Sequence, residues 1–156
     1  MADSSRSGSL VLIVAVQLRA CALPLMYVIE TMRPQPIEPI ISTLSFVRGI
    51  SIIRGAPTPV VDLGALLGTS SDGDPGRFVT LRLGDRQVAF SVDAVVGIRE
   101  FDALAIQKLP PLLDGASKEI IEAIGTLDEQ MLIVLRASWH LPDAVWQAVT
   151  ARGVAQ

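Results

Sequence analysis

The chain has 156 residues, half of them apolar and 19% charged, with a formal net charge of −3. That much apolar material suits one packed domain or two very small subdomains and argues against disorder. The weakly acidic balance leaves no basic stripe for phosphates, and 4% aromatic content leaves little for base stacking, so nucleic acid is excluded as an expected partner.

Residues 1–9 (MADSSRSGS) are small and polar and read as a disordered tail. Leu10–Leu18 is rich in Leu, Val and Ile and reads as a buried first strand, with Arg19-Ala20 as the turn after it. The same run has the apolar character of a signal-peptide core, and Leu18–Cys21 resembles a lipoprotein cleavage site. Asp3 offsets Arg6 ahead of it, and Arg19 stands where such a site needs a small neutral residue, so the strand reading and a cytoplasmic location are preferred. In Leu23–Met32, Pro24 can open a helical turn and Val28–Met32 is extended in character. Pro34, Pro36 and Pro39 make 33–39 a loop.

Phe46–Arg54 (FVRGISIIR) and Thr58–Leu63 (TPVVDL) are two short apolar strands flanking Arg-Gly-x-Pro, which predicts a hairpin. Leu63–Leu67 then predicts one helical turn with Asp62 as its cap, and 68–76 (GTSSDGDPG) a loop that is the expected internal boundary. Phe78–Leu83 and Gln87–Val92 form a second hairpin around Gly84-Asp85, and Val95–Glu100 is another strand. Leu104–Gly115, with Pro110-Pro111, reads as irregular, and Ile120–Leu127 with Met131–Leu135 as a third hairpin around Asp128-Glu129. Pro142–Arg152 is the one clear helix, opened by Pro142, with Val145, Trp146 and Val149 on one face and Gly153 to end it. Eight to ten short strands and one or two helices imply a mainly β fold, and no repeat of fixed period is visible in the sequence.

Chemistry is sparse. One cysteine and one histidine, Cys21 and His140, rule out an intrachain disulfide and a Cys/His zinc site of the usual kind. There is no phosphate-cradling glycine loop and no Gly-x-Ser-x-Gly. His140, beside Trp139, reads as a surface or capping side chain, and Cys21 as a small core residue. Glu30, Asp62, Asp93 and Asp128 stand at strand ends or turns, where carboxylates bind backbone N–H groups or face water. No enzyme activity and no cofactor are expected.

Several segments, in order, resemble one family. Phe46 to Leu63, containing Gly49, Arg54-Gly55 and Pro59-Val60-Val61-Asp62-Leu63, is similar to the pattern Gly-x-x-Asn-x-Arg-Gly followed by Pro-Val-x-Asp-Leu of the CheW family of chemotaxis coupling proteins. Ala22–Leu25 and Val28–Glu30 resemble its upstream elements, and Phe90–Val95, Ile124–Leu127 and Met131–Leu135 its downstream ones, so the resemblance covers residues 10–141. The family's usual Asn is replaced here by Ile52. The resemblance implies two packed five-stranded SH3-like β-barrel subdomains within 10–152, a short C-terminal helix and a non-enzymatic adaptor. Its implied partners are the regulatory domain of a CheA-type histidine kinase and the cytoplasmic tip of a chemoreceptor, with no direct membrane insertion. An alternative is a scaffold of a non-flagellar chemosensory pathway, its receptor binding altered by Ile52.

The implied contact residues are Arg54, Gly49, Val28, Glu30, Val47, Ile50 and Ile52. Arg54 either bridges to a partner or pairs internally with Glu30. Gly49 and Gly55 either admit a partner's backbone or serve a bulge and a turn. Val28, Leu44, Val47 and Ile50 either line an apolar groove for a receptor helix or pack in the core.

Overall fold

A computed structural model describes residues 10–40, 44–68, 73–100, 105–107, 121–127, 130–136 and 141–155. The strands are β1 (Leu10–Val16), β2 (Arg19–Pro24), β3 (Val28–Met32), β4 (Val47–Ile53), β5 (Ala56–Asp62), β6 (Arg77–Leu83), β7 (Arg86–Val92), β8 (Ala94–Glu100), β9 (Ala105–Gln107), β10 (Ile121–Leu127) and β11 (Gln130–Leu135). A 3-10 turn at Leu25–Tyr27 follows Pro24, as its fixed φ invites, and the helices are α1 (Leu63–Leu66) and α2 (Asp143–Ala155). The proposed tail, His140, the Asp128-Glu129 turn and most of the irregular 104–115 segment lie outside the described residues.

The strands form two sheets, β8-β1-β2-β11-β10-β9 and β3-β6-β7-β5-β4. The mainly β expectation holds, with a three-residue sixth strand, β9, added to one sheet. Neither ladder closes on itself among the described residues, so the SH3-like units are open barrels.

The pairings reveal a repeat that the sequence hides. In each sheet an edge strand leads to an antiparallel hairpin, then to a parallel pairing (β2 with β11, β7 with β5), then to a second hairpin. The registers coincide residue by residue: Val28, Ile29 and Glu30 of β3 stand where Val95, Val96 and Gly97 of β8 stand. Both edge strands carry a one-residue bulge, at Ile29 and at Val96, and β4 and β10 carry matching bulges at Arg48 and Glu122. One unit is continuous from β3 to β7. The other takes β8–β11 and completes itself with β1 and β2 from the start of the described chain, a circular permutation of the same plan. The chain therefore crosses between sheets at Leu25–Tyr27 and at Asp93, whereas 68–76 lies between α1 and β6 of one unit.

Alternation along the strands divides the interior into three parts. The largest cluster lies between the sheets and includes Leu12, Val14, Leu23, Val61, Leu81, Phe90 and Ile133. Val11, Ile13, Ala22, Leu132 and Val134 fill the other face of the six-stranded sheet, and Ile53, Val60, Phe78 and Ala89 the equivalent face of the five-stranded one. Strands such as β1 are thus apolar on both faces, which explains their uninterrupted Leu/Val/Ile run. Helix α2 closes one side of the shared core with Val145 and Val149, and Arg86 lies 4.8 Å over the Trp146 ring.

Three boundaries differ from expectation. The first turn is Gln17-Leu18, two residues earlier than Arg19-Ala20, and both residues adopt positive φ (45° and 64°). Nothing in that dipeptide signals a turn. Long-range contacts hold it: Gln17 N–H donates to Asp93 Oδ2 at 2.7 Å, and Asp93 N–H to the Ala15 carbonyl at 2.9 Å. Strand β5 starts at Ala56 and contains Pro57 and Pro59. Pairing opposite Ile52 and Ile50, both prolines turn their nitrogens away from β4, and β7 joins only from Val60 onward. Helix α2 runs through Gly153 to Ala155.

Candidate partner-binding site

The β4–β5 hairpin turns through Arg54 and Gly55, with φ of 52° and 80°. Two positive φ values define a type I′ turn, which Gly55 adopts freely and which costs the arginine about 1 kcal/mol. Arg54 is held there by a bidentate bridge across the sheet edge. Its Nε donates to Glu30 Oε2 at 3.1 Å and its Nη2 to Glu30 Oε1 at 2.7 Å. These hydrogen bonds, opposed by partial desolvation and aided by charge, hold the Glu30 carboxyl below its ordinary 4.5, and the same bridge raises Arg54. The Arg54 side chain is still 76% exposed, against 27% for Glu30. Both roles weighed for Arg54 are therefore compatible: the bridge to Glu30 fixes it while its outer surface faces solvent.

Beside this pair the sheet edge is wrapped by the segment that follows β3. Glu38 exchanges two backbone hydrogen bonds with Ile50, at 2.7 and 2.8 Å, and Ser51 Oγ donates to the Pro36 carbonyl at 2.7 Å. Gly49 permits that crossing: its φ is 148°, and a Cβ there would sit 2.2 Å from the Glu38 carbonyl oxygen. Gly49 thus serves the bulge and its own chain's approach, and it is buried. Ile50 points into the shared core at 2% exposure, because strand alternation places it inward. Val28, Leu44 and Val47 pack against the same core, half-buried. Of the two readings weighed for these four aliphatics, core packing is the one that their burial favours.

What remains outside is compact. Ile52, 46% exposed, lies on the face of β4 that carries Ile50, beyond the end of the core. With Met32, Gln35, Ile53 and Arg54 it borders a hollow of about 210 Å³. Of the seven contact residues expected from sequence, Arg54, Glu30 and Ile52 come together at this surface. Met32 and Gln35 were missed, because only the wrapped 33–40 segment brings them to β4, and the spacing of Pro34, Pro36 and Pro39 was the one available sign of an extended crossing.

Other reactive groups serve the fold. Asp62 caps α1, as expected of it, by accepting the Ala65 N–H at 3.2 Å, and it also bridges Arg48 at 3.0 Å. The Cys21 thiol is pushed up to about 12 by burial, with Arg19 opposing weakly, so it is no nucleophile. Among the described residues no group of His, Cys, Asp and Glu is placed to hold a metal ion, and no helix is long and apolar enough to cross a membrane.

The CheW-like domain matches residues 10–143, from the first residue of β1 to the first of α2. The chain belongs to the CheW family. The chemotaxis protein CheW of Klebsiella aerogenes is 30% identical over 99 residues, which is 62% of this chain and 59% of that protein. The match thus spans about three-fifths of that CheW protein's length. The scaffolding protein TtCheW from Thermoanaerobacter tengcongensis shares the fold, with a TM-score of 0.69, 22% identity, and coverage of 83% of this chain and 89% of that one. Within the CheW frame, the Arg54–Glu30 bridge stands at the family's Arg-Gly element, and Ile52 replaces the family's usual Asn.

Proposed function

We propose that the chain is a non-enzymatic chemotaxis adaptor that couples chemoreceptors to a CheA-type histidine kinase by binding both. The observation that carries this reading is the fixed, outward-facing Arg54 guanidinium beside exposed Ile52, within a CheW-like domain that spans nearly the whole chain. A bidentate bridge to Glu30 pre-pays the ordering of a long side chain, so less entropy is lost when a partner's acceptor meets it. An exposed aliphatic next to a charged rim is the composition of a protein-binding surface. The non-enzymatic reading is supported by four groups among the described residues: Glu30, Asp62 and Asp93 are each engaged in structural hydrogen bonds, and burial keeps the Cys21 thiol protonated.

Affinity would come from a few anchors, with Arg54 setting register. Holding receptor and kinase in one assembly lets the receptor's state bias the kinase's. Calorimetric titration with the regulatory domain of a CheA kinase from the same genome tests this. Binding near micromolar, about −8 kcal/mol, is expected, with loss of about tenfold or more in a folded Arg54→Ala variant. A variant that binds as well as the native chain would remove Arg54 from the interface. Ile52 favours the second reading, a scaffold with altered receptor binding; retained kinase binding with no receptor-tip binding would select it.

A further inference from the structure

The six-stranded sheet is not built from one stretch of chain. Strands β8 to β11 leave a gap two strands wide, which β1 and β2 fill: β1 pairs with β8 on one side and β2 with β11 on the other. Among the described residues β8 has no other neighbour in the sheet, so without the hairpin it is cut off from β9–β11. Five of the seven residues of β1 and three of the six of β2 are buried, packed on both faces of the sheet. An empty gap would expose the aliphatic side chains of the hairpin together with Leu132, Ile133 and Val134 of β11.

The gap is cut for this hairpin. Its Gln17-Leu18 turn is strained at positive φ and is held by Asp93, which accepts the Gln17 N–H and donates to the Ala15 carbonyl. A substitute from another protein would have to match that turn, two ladders and two apolar faces at once.

Within the described chain the hairpin is joined to the rest at one place, the 3-10 turn Leu25–Tyr27. No residue of this turn is buried, and Met26 is 69% exposed. The matching hairpin of the other sheet, β6–β7, is joined at both ends, to α1 before it and to β8 after it. The ladders that hold β1–β2 run to β8 and β11, remote in sequence, so they are the same whether those strands belong to its own chain or to a second copy.

We propose that β1–β2 is an exchangeable element, and that two copies of this chain trade it to form a closed dimer. Each hairpin sits between β8 and β11 of the other copy, and every strand pairing of the single chain is kept. Leu25–Tyr27 opens from a turn into an extended crossing. Monomer and dimer bury the same surfaces, so concentration and the crossing set their balance. A short tether gives an effective concentration of about 1 mM, and exchange competes with closure near that value. Unseating the hairpin uncovers its buried side chains, so the native forms interconvert slowly and exchange proceeds through unfolding.

The test refolds the full chain from urea at about 10 µM and at about 1 mM, below and at that effective concentration, and separates the species by size exclusion with light scattering. Ile133→Cys places a second thiol at the register partner of Cys21, within the reach of a disulfide across neighbouring strands. After oxidation, a denaturing gel without reductant shows whose hairpin fills the gap. Dimer is expected at the higher concentration, its bridges linking two chains, while the monomer fraction is bridged within single chains. A dimer whose bridges close within single chains overturns the proposal, as does the absence of dimer at the higher concentration. Deleting Met26 gives a second readout outside the core. It shortens the crossing by about 3.5 Å, which strains the closed turn but not the extended one, so dimer should appear at the lower concentration. A dimer share unchanged by that deletion overturns the proposal even where Ile133→Cys fails to fold.

Discussion

Replacing Gly49 by alanine probes the contact that wraps the five-stranded sheet and shapes the candidate site. At φ of 148° any side chain is strained, by about 1–3 kcal/mol. The added Cβ would also lie 2.2 Å from the Glu38 carbonyl oxygen and 2.8 Å from its carbon. These are backbone atoms with no rotamer to escape into, so the 36–38 segment must lift away. That breaks the two Glu38–Ile50 hydrogen bonds and strains the Ser51–Pro36 bond, each worth about 0.5–1.5 kcal/mol net. The total is about 3–5 kcal/mol, a large share of the roughly 5–15 kcal/mol of a typical domain. Gly84→Ala is the control. Gly84 has φ of 72°, but a Cβ there meets nothing, so only the backbone cost of about 1–2 kcal/mol applies. Urea denaturation followed by circular dichroism measures both. A Gly49→Ala cost equal to that of Gly84→Ala would refute the Glu38 crossing, and with it the hollow that depends on the same segment.

Three further outcomes follow from the same structure. Asp62→Ala should cost about 1–2 kcal/mol in urea midpoint stability, through loss of the α1 cap and of the Arg48 bridge. Because Arg54 holds Glu30 below its ordinary 4.5, the stabilisation from this pair is fully present above 4.5 and is lost as pH falls through the lower folded value. Glu30→Gln should remove that part of the acid dependence, seen as a flatter plot of urea midpoint against pH on the acid side. Cys21, fully buried with its thiol near 12, should resist a thiol reagent in the native state and react only as the chain unfolds; native-state labelling at the rate of a free thiol would contradict its placement in β2.

Local chemistry made much of this legible in the sequence. The Gly84-Asp85 hairpin, the Asp62 cap and the Pro24 turn each follow from residues that carry their own instructions. What stayed hidden is non-local. The Gln17-Leu18 turn has no turn-forming residue and is held by Asp93, 76 residues away in sequence and just ahead of the neighbouring strand β8. The internal repeat escapes a search for fixed period because one unit is circularly permuted, and because equivalent positions hold unlike residues, such as Glu30 and Gly97. The candidate surface was half legible: periodicity alone cannot tell which of several strand aliphatics face the shared core, so Val28, Val47 and Ile50 were grouped with Ile52, the one left outside. The hollow required the 33–40 crossing, which rests on the backbone freedom of Gly49 more than on any motif.

The central claim is that the chain couples a receptor to a kinase. It is tested most directly by reconstituting kinase autophosphorylation with receptor-bearing membranes, with and without the chain. The account predicts that the rate comes under receptor control only when the chain is present, and that Arg54→Ala weakens that control. A rate indifferent to the chain, with every component shown to be folded, would contradict it.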